Sequence, residues 1–124
     1  MTNTLATSST SLLLTATIQV DEDIVFTARK DKNARLTDYK KALTLWLTHP
    51  RVQSLVLVEN SGSDLSELAE IAKRLPEKNV EFLSFKAPKF DGSLGKGYGE
   101  MICLQHAIEH SQLLARSRQF VKVT

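Results

Sequence analysis

The run "SLVLV", Ser54 to Val58, limits the fold more than any other part of the chain. A strand with one wet face alternates apolar and polar residues, and four consecutive branched aliphatics leave no face for water. Such a strand needs cover on both sides, the condition met in parallel sheets sandwiched between helices. Three more stretches read as strands: "SLLLTATI" from Ser11 to Ile18, "NVEFLSF" from Asn79 to Phe85, and "QFVKV" from Gln119 to Val123.

Helical periods separate these runs. With Thr37 as N-cap, "TDYKKALTLWLTHP" sets Tyr39, Ala42, Leu43, Trp46 and Leu47 on one stripe, and Pro50 ends it. Asp64 and Glu67 read as a capping box for a second helix with Leu65, Leu68, Ala69, Ala72 and Leu75 inward, stopped by Pro76. A third helix follows the glycine-rich segment, with Met101, Leu104, Ala107 and Ile108 on its buried face. Between the first strand and first helix, Gln19 to Arg35 is charged and irregular, and is expected to be a loop. The alternation implies an α/β fold: an open, mainly parallel sheet of about four strands with helices on both faces, joined by right-handed crossovers. Residues 1–10 carry neither apolar period nor capping signal and are expected to form a flexible tail, with residues 11–124 as a single domain.

With 124 residues and 42% apolar content, one core can form without disulfides or metals. A net charge of +2, with basic residues interspersed among acids, argues against a polybasic nucleic-acid binder. No run approaches the ~20 apolar residues of a membrane span, and the N-terminus lacks a basic signal-peptide region. Together with the single Cys103, expected as a small buried residue, this points to a cytoplasmic protein.

Open parallel sheets bind ligands outside the carboxyl ends of their strands, where strand order reverses. Three segments would lie there. After the first strand come Gln19 to Arg35; Arg35 and Tyr39, one helical turn apart, could grip a base or diphosphate, or serve as a solvated charge and a core residue. After the second come Glu59 and Asn60, suited to a ribose hydroxyl or base N–H, then Ser61 and Ser63, more consistent with helix capping. After the third comes "DGSLGKGYGEM", with four of the five glycines and Lys96 beside Gly97. Backbone N–H groups at a helix start favour an anion. The spelling matches neither the P-loop, since Phe90 stands at the first glycine position, nor the G-x-G-x-x-G fingerprint. Arg35, Tyr39, Glu59, Asn60, Lys96 and Gly97 are therefore the candidate binding residues. The histidines, His49, His106 and His110, lack the H-E-x-x-H pattern and a third ligand in sequence, so no metal site is read, and no serine sits on a nucleophile elbow.

Taken together, "VLVENSGSDLSEL", "VEFLSF", "GKGYGEM" with "AIEHSQLL", and the terminal "FVKVT" resemble bacterial and viral glycosyltransferase-like proteins of the GT-A, or nucleotide-diphosphosugar transferase, fold. The resemblance runs from about Leu12 to the end. It implies the Rossmann-like, nucleotide-binding half of such a domain, with a nucleotide diphosphosugar as donor and a glycan as acceptor. It also implies that Glu59 and the loop after the first strand face the nucleoside, while "GKGYGE" opens the helix before the strand that leads to the donor sugar and a divalent metal. No D-x-D metal motif of that fold is read anywhere in the sequence, and the acceptor half is missing. The chain is thus expected to be the donor-binding part of a glycosyltransferase, incomplete at its C-terminus; the alternative is a non-catalytic α/β nucleotide-binding or protein-interaction module.

Overall fold

The computed structural model describes residues 10–20, 31–88 and 92–123, apart from the side chains of 92, 95 and 96. Of the expected tail over residues 1–10, residues 1–9 lie outside the described residues and Thr10 already belongs to the first strand; most of the charged segment after that strand also lies outside them. Four strands form one sheet: β1 (Thr10–Ala16), β2 (Ser54–Glu59), β3 (Asn79–Ser84) and β4 (Gln119–Val123), in the order β3-β2-β1-β4. Every pairing is parallel, with Leu12 opposite Leu55, Leu55 opposite Val80, and Leu12 opposite Val121.

The alternation of side chains along β1 and β2 divides the core. Leu14, Ala16, Leu55 and Leu57 meet helix α1 (Lys32–Leu47) and helix α2 (Ser66–Lys73) through Leu43, Leu47 and Leu68, with Tyr39, Trp46, Phe82 and others closing the margin. On the opposite face, Leu13, Val56 and Val58 meet Cys103 and Ala107 of helix α3 (Gly95–His110), flanked by Leu113 and Leu114 of the short helix α4 (Gln112–Arg116). Every residue of β2, from Ser54 to Glu59, is buried, as two-sided cover requires.

Several details differ from the sequence expectations. Helix α1 begins one and a half turns early. Asp31 caps it, accepting from the Asn33 N–H at 3.3 Å, whereas the Thr37 hydroxyl donates back to the Asn33 carbonyl inside the helix at 3.0 Å. Before Thr37 only Leu36 packs on the core, so this stretch carries too little apolar period to reveal the helix. The capping box of α2 does not form: the Asp64 carboxylate accepts from the N–H and hydroxyl of Ser66, and Glu67 pairs with Lys40 of α1 at 2.6 Å. On α3 the inward stripe is Gly99, Cys103 and Ala107, while Met101 and Ile108 are 64% and 59% exposed. Small side chains let this helix lie close on the valines of β2, which turns its larger apolar residues outward. A separate α4, capped by the Ser111 hydroxyl, replaces the expected direct descent into β4.

Candidate functional site

The crossovers β1-α1-β2 and β2-α2-β3 run along one face, and β3-α3-α4-β4 returns along the other to the far side of β1. Strand order therefore reverses at β1, and the crevice between the carboxyl ends of β1 and β4 is the place where such sheets receive ligands. Thr17, just past β1, stands at its rim, and its partners reach it from α1 and from the loop after β2, the side away from β4. The Tyr39 hydroxyl accepts from the Thr17 N–H at 2.9 Å, and the Arg35 Nε donates to the Thr17 carbonyl at 2.5 Å. Arg35 Nη2 also donates to the Tyr39 hydroxyl at 2.9 Å, with the guanidinium carbon 5.7 Å from the ring centre. The Thr17 hydroxyl donates to Asn60 Oδ1 at 2.7 Å, and the Asn60 N–H to the Ala16 carbonyl at 3.1 Å.

Glu59, at the end of β2, is fully buried. Its Oε1 accepts from the N–H groups of Ser61 and Ser63, each at 3.0 Å; its Oε2 accepts from the Ile18 N–H at 2.8 Å and from the Ser61 hydroxyl. Four donors compensate the cost of burying a carboxylate and tie the loops after β1 and β2 together. Gly62 makes the turn possible. Its φ of 73° is left-handed, and a Cβ there would stand 3.3 Å from that of Lys86. Beyond it, the Gly62 N–H donates to the Phe85 carbonyl at 2.9 Å and the Ala87 N–H to the Asn60 carbonyl at 2.9 Å, so the exit from β3 is bound to the same loop.

The structure thus brings together Arg35, Tyr39, Glu59 and Asn60, four residues expected from the sequence, and adds Thr17, which the sequence reading passed over. Ser61 and Ser63 do not cap α2; they bond to Glu59, to each other, and, through the Ser61 hydroxyl, to the Gln19 N–H at 3.1 Å. An acid with serines two and four places on, around a glycine, is the signal for this folded-back turn.

The glycine segment is not a loop. Gly92 to Leu94 form a single 3-10 turn, and Gly95, Gly97 and Gly99 all belong to α3. Leu94, at its N-cap, supplies no side-chain cap. Gly99 is buried, whereas a Cβ on Gly97 would meet nothing within 4 Å among the described residues. The Lys96 side chain lies outside the described residues. So do Asp21 and Asp23, which have D-x-D spacing directly after β1 and correct the view that metal-motif spacing is missing from the chain.

Beneath the edge, Cys103 is almost fully buried, and burial, then the charges of Glu59 and Glu100, push its thiol up to about 12, against the pull of Lys122. It is a core residue without nucleophilic character. Glu100 pairs with Lys122 at 3.1 Å, linking α3 to β4. Among the described residues, no three His, Cys, Asp or Glu side chains gather as metal ligands, and no helix is long and apolar enough to cross a membrane. No protein-family model matches the sequence, and no curated protein or solved structure shows significant similarity to it.

Proposed function

We propose that the carboxyl edge binds a nucleoside diphosphate, and that the chain is the donor-binding part of a glycosyltransferase that uses a nucleotide diphosphosugar. The observation that carries this reading is the assembly of Arg35, Tyr39 and Asn60 around Thr17, at the point where strand order reverses. An arginine held at Nε and Nη2 has lost most of its rotamer freedom before a diphosphate arrives, so little further ordering opposes binding. The start of α3 supports the same reading. Glycine costs about 1 kcal/mol relative to alanine inside a helix, and no contact among the described residues requires Gly97 to be one. Leu94 gives the first turn of α3 no side-chain cap, and a helix start is a position that favours an anion. Glu59 acts as a positioning residue that fixes the two loops.

Calorimetric titration with UDP, ADP, GDP and inorganic pyrophosphate tests the proposal. A nucleoside diphosphate should bind at millimolar concentration or below, more tightly than pyrophosphate. Lys96→Ala should weaken it by roughly 1.5–3 kcal/mol, the range for a charge-assisted contact, with the melting temperature unchanged. No heat from any nucleoside diphosphate would overturn the reading.

A second reading, the non-catalytic module, is favoured by one observation: Thr17, Tyr39, Glu59 and Asn60 already engage one another or the backbone. It predicts a nucleotide bound without release of sugar from any nucleotide sugar, or no nucleotide bound at all.

A further inference from the structure

His106 and His110 stand one turn apart on the second half of α3. Their ring centres are 4.3 Å apart, with planes at 35°. The Phe85 ring stacks on His106 at 3.9 Å and 6°, which fixes that imidazole in place. Among the described residues, no hydrogen bond engages a nitrogen of either ring. One half-buried and one exposed imidazole thus lie side by side on adjacent turns, the first backed by an aromatic ring.

We propose that His106 and His110 form an open, two-imidazole site for a divalent transition-metal ion of the copper(II) or nickel(II) kind. A metal bound to an imidazole nitrogen at ~2.0–2.1 Å lies about 3.2 Å from the ring centre. Two rings in cis positions of a tetragonal ion therefore stand about 4.5 Å apart, whereas tetrahedral zinc would spread them to about 5.2 Å. The observed separation lies below both values and opens to either by rotation of the exposed His110 side chain, so the choice of metal rests on the higher affinity of imidazole sites for copper(II) and nickel(II). Burial, and then the neighbouring His110, lower the pKa of His106, while Glu109 raises it. His110 belongs to the last turn of α3, where the helix dipole favours a cation. No third protein ligand joins the pair among the described residues, so water completes the coordination sphere and the ion exchanges freely. Ala107, Ile108 and Glu109 between the two histidines do not reproduce the glutamate position of a zinc peptidase, so a hydrolytic role does not follow.

The test uses the full chain after washing with a chelator. Nickel(II), and copper(II) in a glycine buffer that keeps it soluble, are titrated by calorimetry, and the copper complex is followed by electron paramagnetic resonance. One ion per chain is expected at micromolar concentration, with coupling to two ring nitrogens. His110→Ala should weaken binding about tenfold or more and leave one coupled nitrogen. The ring of His110 is exposed, so this variant keeps the fold, which the melting temperature verifies. His49→Ala should bind as the parent does. Unchanged affinity in His110→Ala, loss of binding in His49→Ala, or no binding by the parent would each overturn the proposal, and none of these outcomes bears on nucleotide binding.

Discussion

The two faces of the sheet are covered in different ways. Against α1 and α2, large side chains interlock: Leu14, Leu55 and Leu57 from the strands with Leu43, Leu47 and Leu68 from the helices, all fully buried. Against α3 and α4, the strands offer Leu13, Val56 and Val58, and the helix answers with Cys103 and Ala107. On the first face, burial of leucines holds the helices. On the second, small residues allow close backbone approach, and polar ties add to it: Glu100 to Lys122, and Glu81 to the start of α4. The face with leucines should therefore carry more of the stability, and the other should depend more on solution conditions.

Leu57→Ala tests the first half of this contrast. Its side chain is fully buried among leucines, so truncation should cost about 2–5 kcal/mol, the range for cavity-forming core substitutions. Val58→Ala, one residue on and facing α3, removes two carbons rather than three and should cost about 1.5–3 kcal/mol. Urea unfolding midpoints provide the comparison. Equal losses would show that the two layers carry equal weight.

Glu81→Gln tests the second half. The Glu81 carboxylate accepts from the Ser111 hydroxyl at 2.6 Å and from the N–H groups of Gln112 and Leu113 at 3.1 Å each. Burial raises its pKa, but these bonds and the charge of Arg116 outweigh burial and hold it below the ordinary 4.5. A carboxyl with a depressed folded pKa stabilises the fold above its unfolded value and stops doing so as pH falls through the folded value. The variant should thus lose about 1 kcal/mol at pH 7, since solvent screens the exposed part of the site, and the difference should shrink as pH falls below 4.5 and through the lowered folded value. A difference that persisted there would assign the effect to shape rather than charge.

The same contrast explains how far the sequence could be read. The runs at Ser54 and Asn79 and the leucine stripe of α1 announce themselves because large apolar residues carry both burial and period. The small-residue seam Gly99, Cys103 and Ala107 carries little hydrophobic signal, so Met101 and Ile108 drew attention to the wrong side of α3. At the candidate site, Arg35, Tyr39, Glu59 and Asn60 were legible from their places after strands. Their partners were not, because the decisive acceptor and donor belong to the backbone of Thr17, and a backbone group has no spelling. The turn around Gly62 was similarly hidden: serines after a strand serve equally well as helix caps, and only the fold shows that Glu59 takes their N–H groups.

Met101→Lys carries the smallest expected effect and tests the orientation of α3 most directly. The Met101 side chain lies 64% exposed, two residues past buried Gly99, so a lysine there meets water and keeps helix propensity nearly unchanged. Stability should move by less than about 0.5 kcal/mol. Ala107→Met on the opposite side of the helix should cost about 1–3 kcal/mol, because a fully buried alanine against Val56 and Val58 has no room for three more heavy atoms. Thermal melts of the two variants at several protein concentrations read both effects. If Met101→Lys were instead the more damaging, and more so at high concentration, the outer side of α3 would be a contact between copies of the chain, and the light, small-residue layer would owe part of its stability to that second cover.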